Sequence, residues 1–252
     1  MTANFQGPPG AVGVSHLAVY DSTSPDGVPG GSAHVHLSCT ESYVVIGGRG
    51  RLQTLSYSGF QEINLDPLQV VWFTPGVIHR LVNDGDLQII IVMQNGGLPE
   101  AGDCVLSLPP GYLESPDRYR EVANLPPPDT GHDHIEAHAR QRKDLSVAGF
   151  VELRTRVEQE GTQALDDFYR AAAELNRGQL AEWRELWRSG AHAASETTAA
   201  QIGALETGDL QYLKAAVLEQ AQLRAGSPRP GMCGRITNFD VVPGPSGVAH
   251  IR

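Results

Sequence analysis

From about residue 12 to residue 108, apolar and polar positions alternate in short runs, the two-residue period of a strand with one buried face. The runs are VSHLAVYD, SAHVHLS, SYVVIGG, GRLQTLSY, EINL, QVVWFTPG, HRLVN and LQIIIVMQN, separated by turn clusters such as SPDGVPGG, GGRG, YSG and NDGD. Many short strands at close spacing predict an all-β sandwich or closed barrel. After PPPDTG, which begins at residue 126, the period lengthens to that of a helix. In TQALDDFYRAAAELNRGQLAEWRELWRSG the positions Leu165, Phe168, Tyr169, Ala172, Leu175, Leu180, Trp183, Leu186 and Trp187 fall mostly three or four apart, and Asp166, Asp167, Arg170 and Glu174 take the other side. That pattern predicts an amphipathic helix, interrupted near Gly178 and stopped by Gly190. Trp183 and Trp187, four apart, are expected to bury against the barrel or a partner subunit.

A helix is also predicted over residues 144 to 159, and a third over DLQYLKAAVLEQAQL with Thr207 or Asp209 as its cap. The closing stretch CGRITNFDVVPG suits one late strand, at 233 to 242, that returns to the sheet. The chain thus divides into a barrel at 1–125, a Pro- and His-rich linker at 126–143, a helical extension at 144–225 and a tail at 226–252. The fold class is mainly β with an α extension.

The same alternation gives the stretch HVHLSCTE its meaning. On a strand His34 and His36 point to one face, and a turn at Ser38 to Thr40 swings Glu41 onto that face. Farther on, WFTPGVIHRLVN places His79 just after a Pro-Gly turn, at the start of a strand that can return beside the first. Three imidazoles and one carboxylate then surround a single point. If Glu41 points inward, so do Tyr43 and Val45, and His79 carries Leu81 and Asn83 with it. For LQIIIVMQN the inward set is either Ile89, Ile91 and Met93 or Ile90, Val92 and Gln94. Tyr43 is then available to hydrogen-bond a substrate, beside its plainer role in packing.

At these residues the sequence resembles the cupin superfamily. The first motif of that family, G-x5-H-x-H-x3,4-E-x6-G, is matched by His34, His36, Glu41 and Gly48, with Gly27 one residue too early for the leading glycine. The second, G-x5-P-x-G-x2-H-x3-N, is matched by Gly76, His79 and Asn83, with Thr74 where the family usually has proline and Pro75 adjacent to the glycine. The resemblance covers roughly residues 12 to 108 and implies a jelly-roll β-barrel that holds one divalent transition metal per chain through His34, His36, Glu41 and His79. It also implies pairing into a homodimer. Iron(II) is favoured, with Mn, Zn, Ni or Cu compatible with the same donors. Open coordination positions suit catalysis, with Glu41 able to leave the metal and serve as base.

Composition narrows the substrate. A formal net charge of −10 argues against nucleic acid and anionic membranes as partners. Lys143 and Lys214 are the chain's lysines, so Schiff-base chemistry is excluded from the first 142 residues; between residues 31 and 95 the cationic side chains are only Arg49, Arg51 and Arg80, so a multiply phosphorylated ligand finds little countercharge there. A small, neutral or weakly anionic organic molecule is expected. Cys39, Cys104 and Cys233, odd in number and far apart, read as free thiols of a reducing cytoplasm. The cluster HDHIEAH holds His132, His134 and His138, but as a solvated His-rich segment rather than a second metal pair; His16 stays unassigned. The functional expectation is a metal-dependent enzyme, foremost an Fe(II)-type dioxygenase. The alternatives are a metal-dependent isomerase, epimerase or lyase, or a non-catalytic small-ligand-binding protein.

Overall fold

The computed structural model describes residues 7 to 242. Its architecture is built on two 16-residue strands, β3 (Glu41–Ser56) and β6 (Ile78–Met93). They run antiparallel over their whole length, from Glu41 opposite Met93 to Leu55 opposite Ile78, and the register shifts between Val45 and Gly50. At that bend a side chain at Gly48, whose φ is +67°, would collide with the Asp86 carbonyl, and one at Gly50 with the Val82 carbonyl. Glycine here lets two strands cross from one layer to the other at close approach.

One layer holds β5 (Val70–Phe73), the first half of β3, the second half of β6, β1 (Gly13–Val19) and β10 (Gly234–Val242), with β8 (Gln220–Leu223) and β9 (Arg229–Pro230) beside β10. The other holds β4 (Gly59–Leu65), the second half of β3, the first half of β6, β2 (His34–His36) and β7 (Cys104–Leu106). The two layers face each other as a jelly roll. Leu17, Val19, Val45, Leu52, Leu81, Ile89 and Ile91 fill its interior, which settles the facing of LQIIIVMQN in favour of the odd-numbered set. β10 pairs with β1 from Ser15 opposite Asn238 to Val19 opposite Gly234, so the late strand does return to the sheet.

The helical half forms a second core on the outer face of the β2, β3, β6 layer. In α2 (His132–Glu160) and α3 (Gln163–Leu175), Phe150, Leu153, Leu165 and Phe168 pack with Val35, Leu55, Ile78 and Val105, the barrel residues that point away from His34 and His79. These two helices therefore back the barrel on the side away from the histidines. Phe150 is 1% exposed, and Phe150→Ala is expected to destabilise the fold by about 3–5 kcal/mol, seen as a lowered urea midpoint.

Five expectations are corrected. The segment read as a linker over 126–143 is helical from His132, because α2 begins after Gly131 (φ +96°) and already buries Ala139, Arg142 and Lys143. α1 (Pro116–Ala123) lies within the span given to the barrel, its N-terminus capped by the Ser115 hydroxyl, which accepts from Arg118 N–H. Gly190 does not stop the chain: a wide turn at Arg188–His192 carries α4 (Leu180–Trp187) into α5 (Ala193–Glu206), with Gly190 packed against Ala11. DLQYLKAAVLEQAQL forms a short 3-10 turn, Gln211–Ala215, and then β8, because its last residues gain ladder hydrogen bonds from β10. Trp183 is buried with its indole N–H donating to Ala101 O, whereas Trp187 is 42% exposed and stacks on His192. Among the described residues no helix is long and apolar enough to cross a membrane.

Candidate metal centre

Alternation along β2 aims His34 and His36 into the barrel, and β6 begins beside it, so that His79 lies opposite His34 in the ladder. The turn before β6 depends on Gly76 (φ +89°), whose N–H donates to His36 O and whose carbonyl accepts from the Tyr169 hydroxyl. Glu41 opens β3 across the interior. All four side chains are buried, and each offers one donor atom within 4.8 Å of the others.

The hydrogen bonds of the imidazoles fix which atom each one offers. His34 Nδ1 lies 3.3 Å from Ser32 O, and His79 Nδ1 lies 3.0 Å from Val77 O. A carbonyl only accepts, so both rings carry their proton on Nδ1 and present a bare Nε2 inward. His36 Nδ1 lies 3.0 Å from Asp103 Oδ2 and points its Nε2 the same way. His36 Nε2 and His79 Nε2 come within 3.3 Å and 3.1 Å of Glu41 Oε2, and all three atoms are buried with no hydrogen-bond partner among the described residues. Buried polar atoms are seldom left so. Lone pairs converging on one point from three imidazoles and a carboxylate are the donor set of a divalent transition metal, and the residues present fit that group.

Electrostatics agree with this arrangement. Burial, with His79 and His36 nearby, pushes the His34 pKa well below its usual value and keeps it neutral. Burial alone would lower His36 too, but the Asp103 and Glu41 carboxylates on either side raise it to about 9 in the metal-free protein. Burial favours a protonated Glu41, and the His36 and His79 imidazoles outweigh it, holding the carboxyl well below the usual carboxylate range.

Asp103 is the functional residue that sequence reasoning missed. It is fully buried in the short turn before β7, where Oδ2 accepts from His36 and Oδ1 accepts from both the Ser38 N–H and the Ser38 hydroxyl at 2.6 Å. Its contact with His36 spans 67 residues of sequence, and its only local signal is a lone carboxylate in GDCVLSL. Asp103→Asn keeps the shape but loses the charge, and is expected to weaken metal binding about 10- to 100-fold in a competition titration against a chelator.

Tyr43 faces inward as its parity requires. It is fully enclosed and meets Phe73 edge-on at 5.3 Å, and burial, with Glu41 beside it, raises its pKa well above 10. Asn83 serves the turn of β6, accepting from Gly85 N–H and Leu87 N–H and donating to Val19 O. A cavity of about 640 Å3 opens from the tetrad toward β1 and β10, bordered by His34, His36, Glu41 and Tyr43 at its floor and by Leu17, Ile91, Met93 and Ile236 on its walls. Two thiols also border it, Cys104 and Cys233, both with pKa values raised by burial; all three cysteines are free. Cys39 lies outside the centre, packed with Leu98 and Trp183. In the HDHIEAH segment His134 is exposed and His138 Nε2 lies 3.1 Å from Val122 O.

No protein-family model matches the chain, and no curated protein matches it. Similar solved structures include Streptomyces PAC13 with uridine (11% identity, 36% of this chain and 64% of that one, TM-score 0.28). Another is a cupin superfamily protein of Desulfitobacterium hafniense (17% identity, 35% and 71%, TM-score 0.28). A third is the WlaRB TDP-quinovose 3,4-ketoisomerase of Campylobacter jejuni (11% identity, 32% and 60%, TM-score 0.27). These overlaps span about a third of this chain and less than two thirds of the PAC13 and WlaRB chains, and the jelly-roll architecture rests on the chain's own two-layer strand order.

Proposed function

We propose that the protein is a metal-dependent oxygenase, a dioxygenase that acts on a small organic molecule, with His34, His36, Glu41 and His79 holding one Fe(II) per chain. The carrying observation is the tetrad itself: imidazoles fixed through Nδ1, with Nε2 of His36 and of His79 unpartnered beside one carboxylate. A bound iron would supply Lewis acidity and one-electron chemistry with oxygen. The protein's own part is to orient the donors through Ser32, Val77 and Asp103, to enclose the floor of the cavity, and to present apolar walls to the substrate.

The remaining groups favour this reading over isomerase or lyase chemistry. Moving protons between carbon atoms calls for an acid and a base poised near neutral pH. Beside the tetrad stand the Tyr43 phenol and the Cys104 and Cys233 thiols, all driven toward the protonated form by burial, while of the further carboxylates that border the cavity Glu100 is exposed and Asp240 is paired with Arg224. The test is metal content by mass spectrometry on untagged protein purified without added metal, followed by oxygen-electrode assays of the iron-loaded protein with phenolic and enolic compounds. About one iron per chain and substrate-dependent oxygen uptake are expected. Zinc or manganese with turnover indifferent to oxygen would overturn the dioxygenase reading in favour of an isomerase or lyase.

A further inference from the structure

The Tyr43 hydroxyl is a buried donor with no partner. The side chain is fully enclosed, its ring held edge-on between Phe73 at 5.3 Å and His79 at 6.3 Å. Phenylalanine would supply the same packing without burying an unsatisfied group, which folded proteins seldom retain. The residue stands two positions beyond Glu41 on the inward face of β3 and borders the same cavity as His34, His36 and Glu41. Charge along that cavity is one-sided. Glu41, Glu100 and Asp240 border it, and the single arginine there among the described residues, Arg224, is already bidentate with Asp240 at the rim.

We propose that the Tyr43 hydroxyl and the metal held by the tetrad form a two-point anchor for the oxygen-bearing end of an uncharged substrate, whose apolar body lies against Leu17, Ile91, Met93 and Ile236. This rests on the metal-dependent reading above and adds the substrate class and the residue that selects it. The phenol donates to the substrate oxygen, satisfying its own buried hydrogen bond only when the substrate is in place. Apart from the metal itself, an anionic ligand meets Glu100 and Asp240 along the cavity and, among the described residues, no unpaired lysine or arginine.

The test uses pyridine N-oxide, an oxygen donor that stays uncharged when it coordinates, titrated into the cobalt(II)-loaded full chain while the visible spectrum of the metal is followed. Wild type is expected to show a saturable spectral change. Tyr43→Phe should reach the same end-point with a dissociation constant about tenfold higher, the size of one hydrogen bond, while its cobalt affinity and its thermal midpoint stay equal to wild type or rise. Equal dissociation constants in the two proteins would overturn the proposal. So would a fall in cobalt affinity in the variant, which would mean that Tyr43 acts by holding Glu41. A wild-type chain that takes up no cobalt would instead remove the metal reading on which the proposal stands, and the missing spectrum separates that failure from the others.

Discussion

His36→Ala/His79→Ala is expected to reduce bound metal from about one ion per chain to less than about a tenth, measured by mass spectrometry after gel filtration. The two Nε2 atoms flank Glu41 Oε2 at 3.3 Å and 3.1 Å, so removing both leaves His34 and Glu41 as the surviving donors. The internal control is His134→Ala/His138→Ala, expected to retain full occupancy, because His134 is exposed and His138 is committed to Val122 O. Equal metal loss in the control would mean that the His-rich helix start, not the barrel, holds the ion.

Acidity acts on the same centre with a definite sign. The His36 pKa of about 9 in the metal-free protein lies above the ordinary histidine value, and a ligand must give up its proton. Apparent metal affinity therefore rises with pH through the neutral range and levels off above about 9, which chelator competition at several pH values would read out. For the metal-free fold the linkage runs the other way. A raised folded-state pKa contributes stability that is fully present below the unfolded value and is lost as pH climbs from about 6.5 to 9. Loading the metal removes that loss, so the gap in thermal midpoint between the loaded and empty protein widens as the pH rises over this window.

The tetrad could be read from the sequence because most of its information is local. His34 and His36 share a face by strand parity and Glu41 follows one turn later, whereas His79, distant in the chain, joined them through the resemblance of its flanking motif to that of a known family. Asp103 fails that condition, since nothing near it in the chain announces a partner on β2. The same distinction separates the helices. The amphipathic stripe of α3 was legible because Leu165, Phe168 and Ala172 are buried together, whereas α5 buries no residue and has no stripe to read. In α2 the helical run from His132 was hidden because its buried positions include Arg142 and Lys143. These charges are satisfied by Ala123 O, Gly231 O and Ser22, not by an apolar face. β8 was misread because propensity favoured a helix and the ladder to β10 decided otherwise.

Gly149→Ala is expected to destabilise the fold by about 3 kcal/mol or more, although alanine is the better helix former by about 1 kcal/mol. Gly149 lies within α2, where the helix crosses the strand leaving β7. A methyl group there would run into the Ser107 carbonyl oxygen and the Leu108 and Pro109 backbone, none of which is the movable end of a side chain. Ser107 is itself fixed: its hydroxyl meets Ala33 O and Ser146 O, tying β2, the exit of β7 and α2 together behind His34. The helix has to lift off the barrel, and the contacts of Phe150 and Leu153 weaken with it. Gly203→Ala in α5 isolates the argument, because the added methyl meets nothing within 4 Å and the change should stabilise by about 0.5–1 kcal/mol. Denaturant unfolding followed by circular dichroism should thus give opposite signs for one substitution in two helices. A stabilised Gly149→Ala would mean that α2 does not rest on the barrel backbone, and the second core would have to be redrawn.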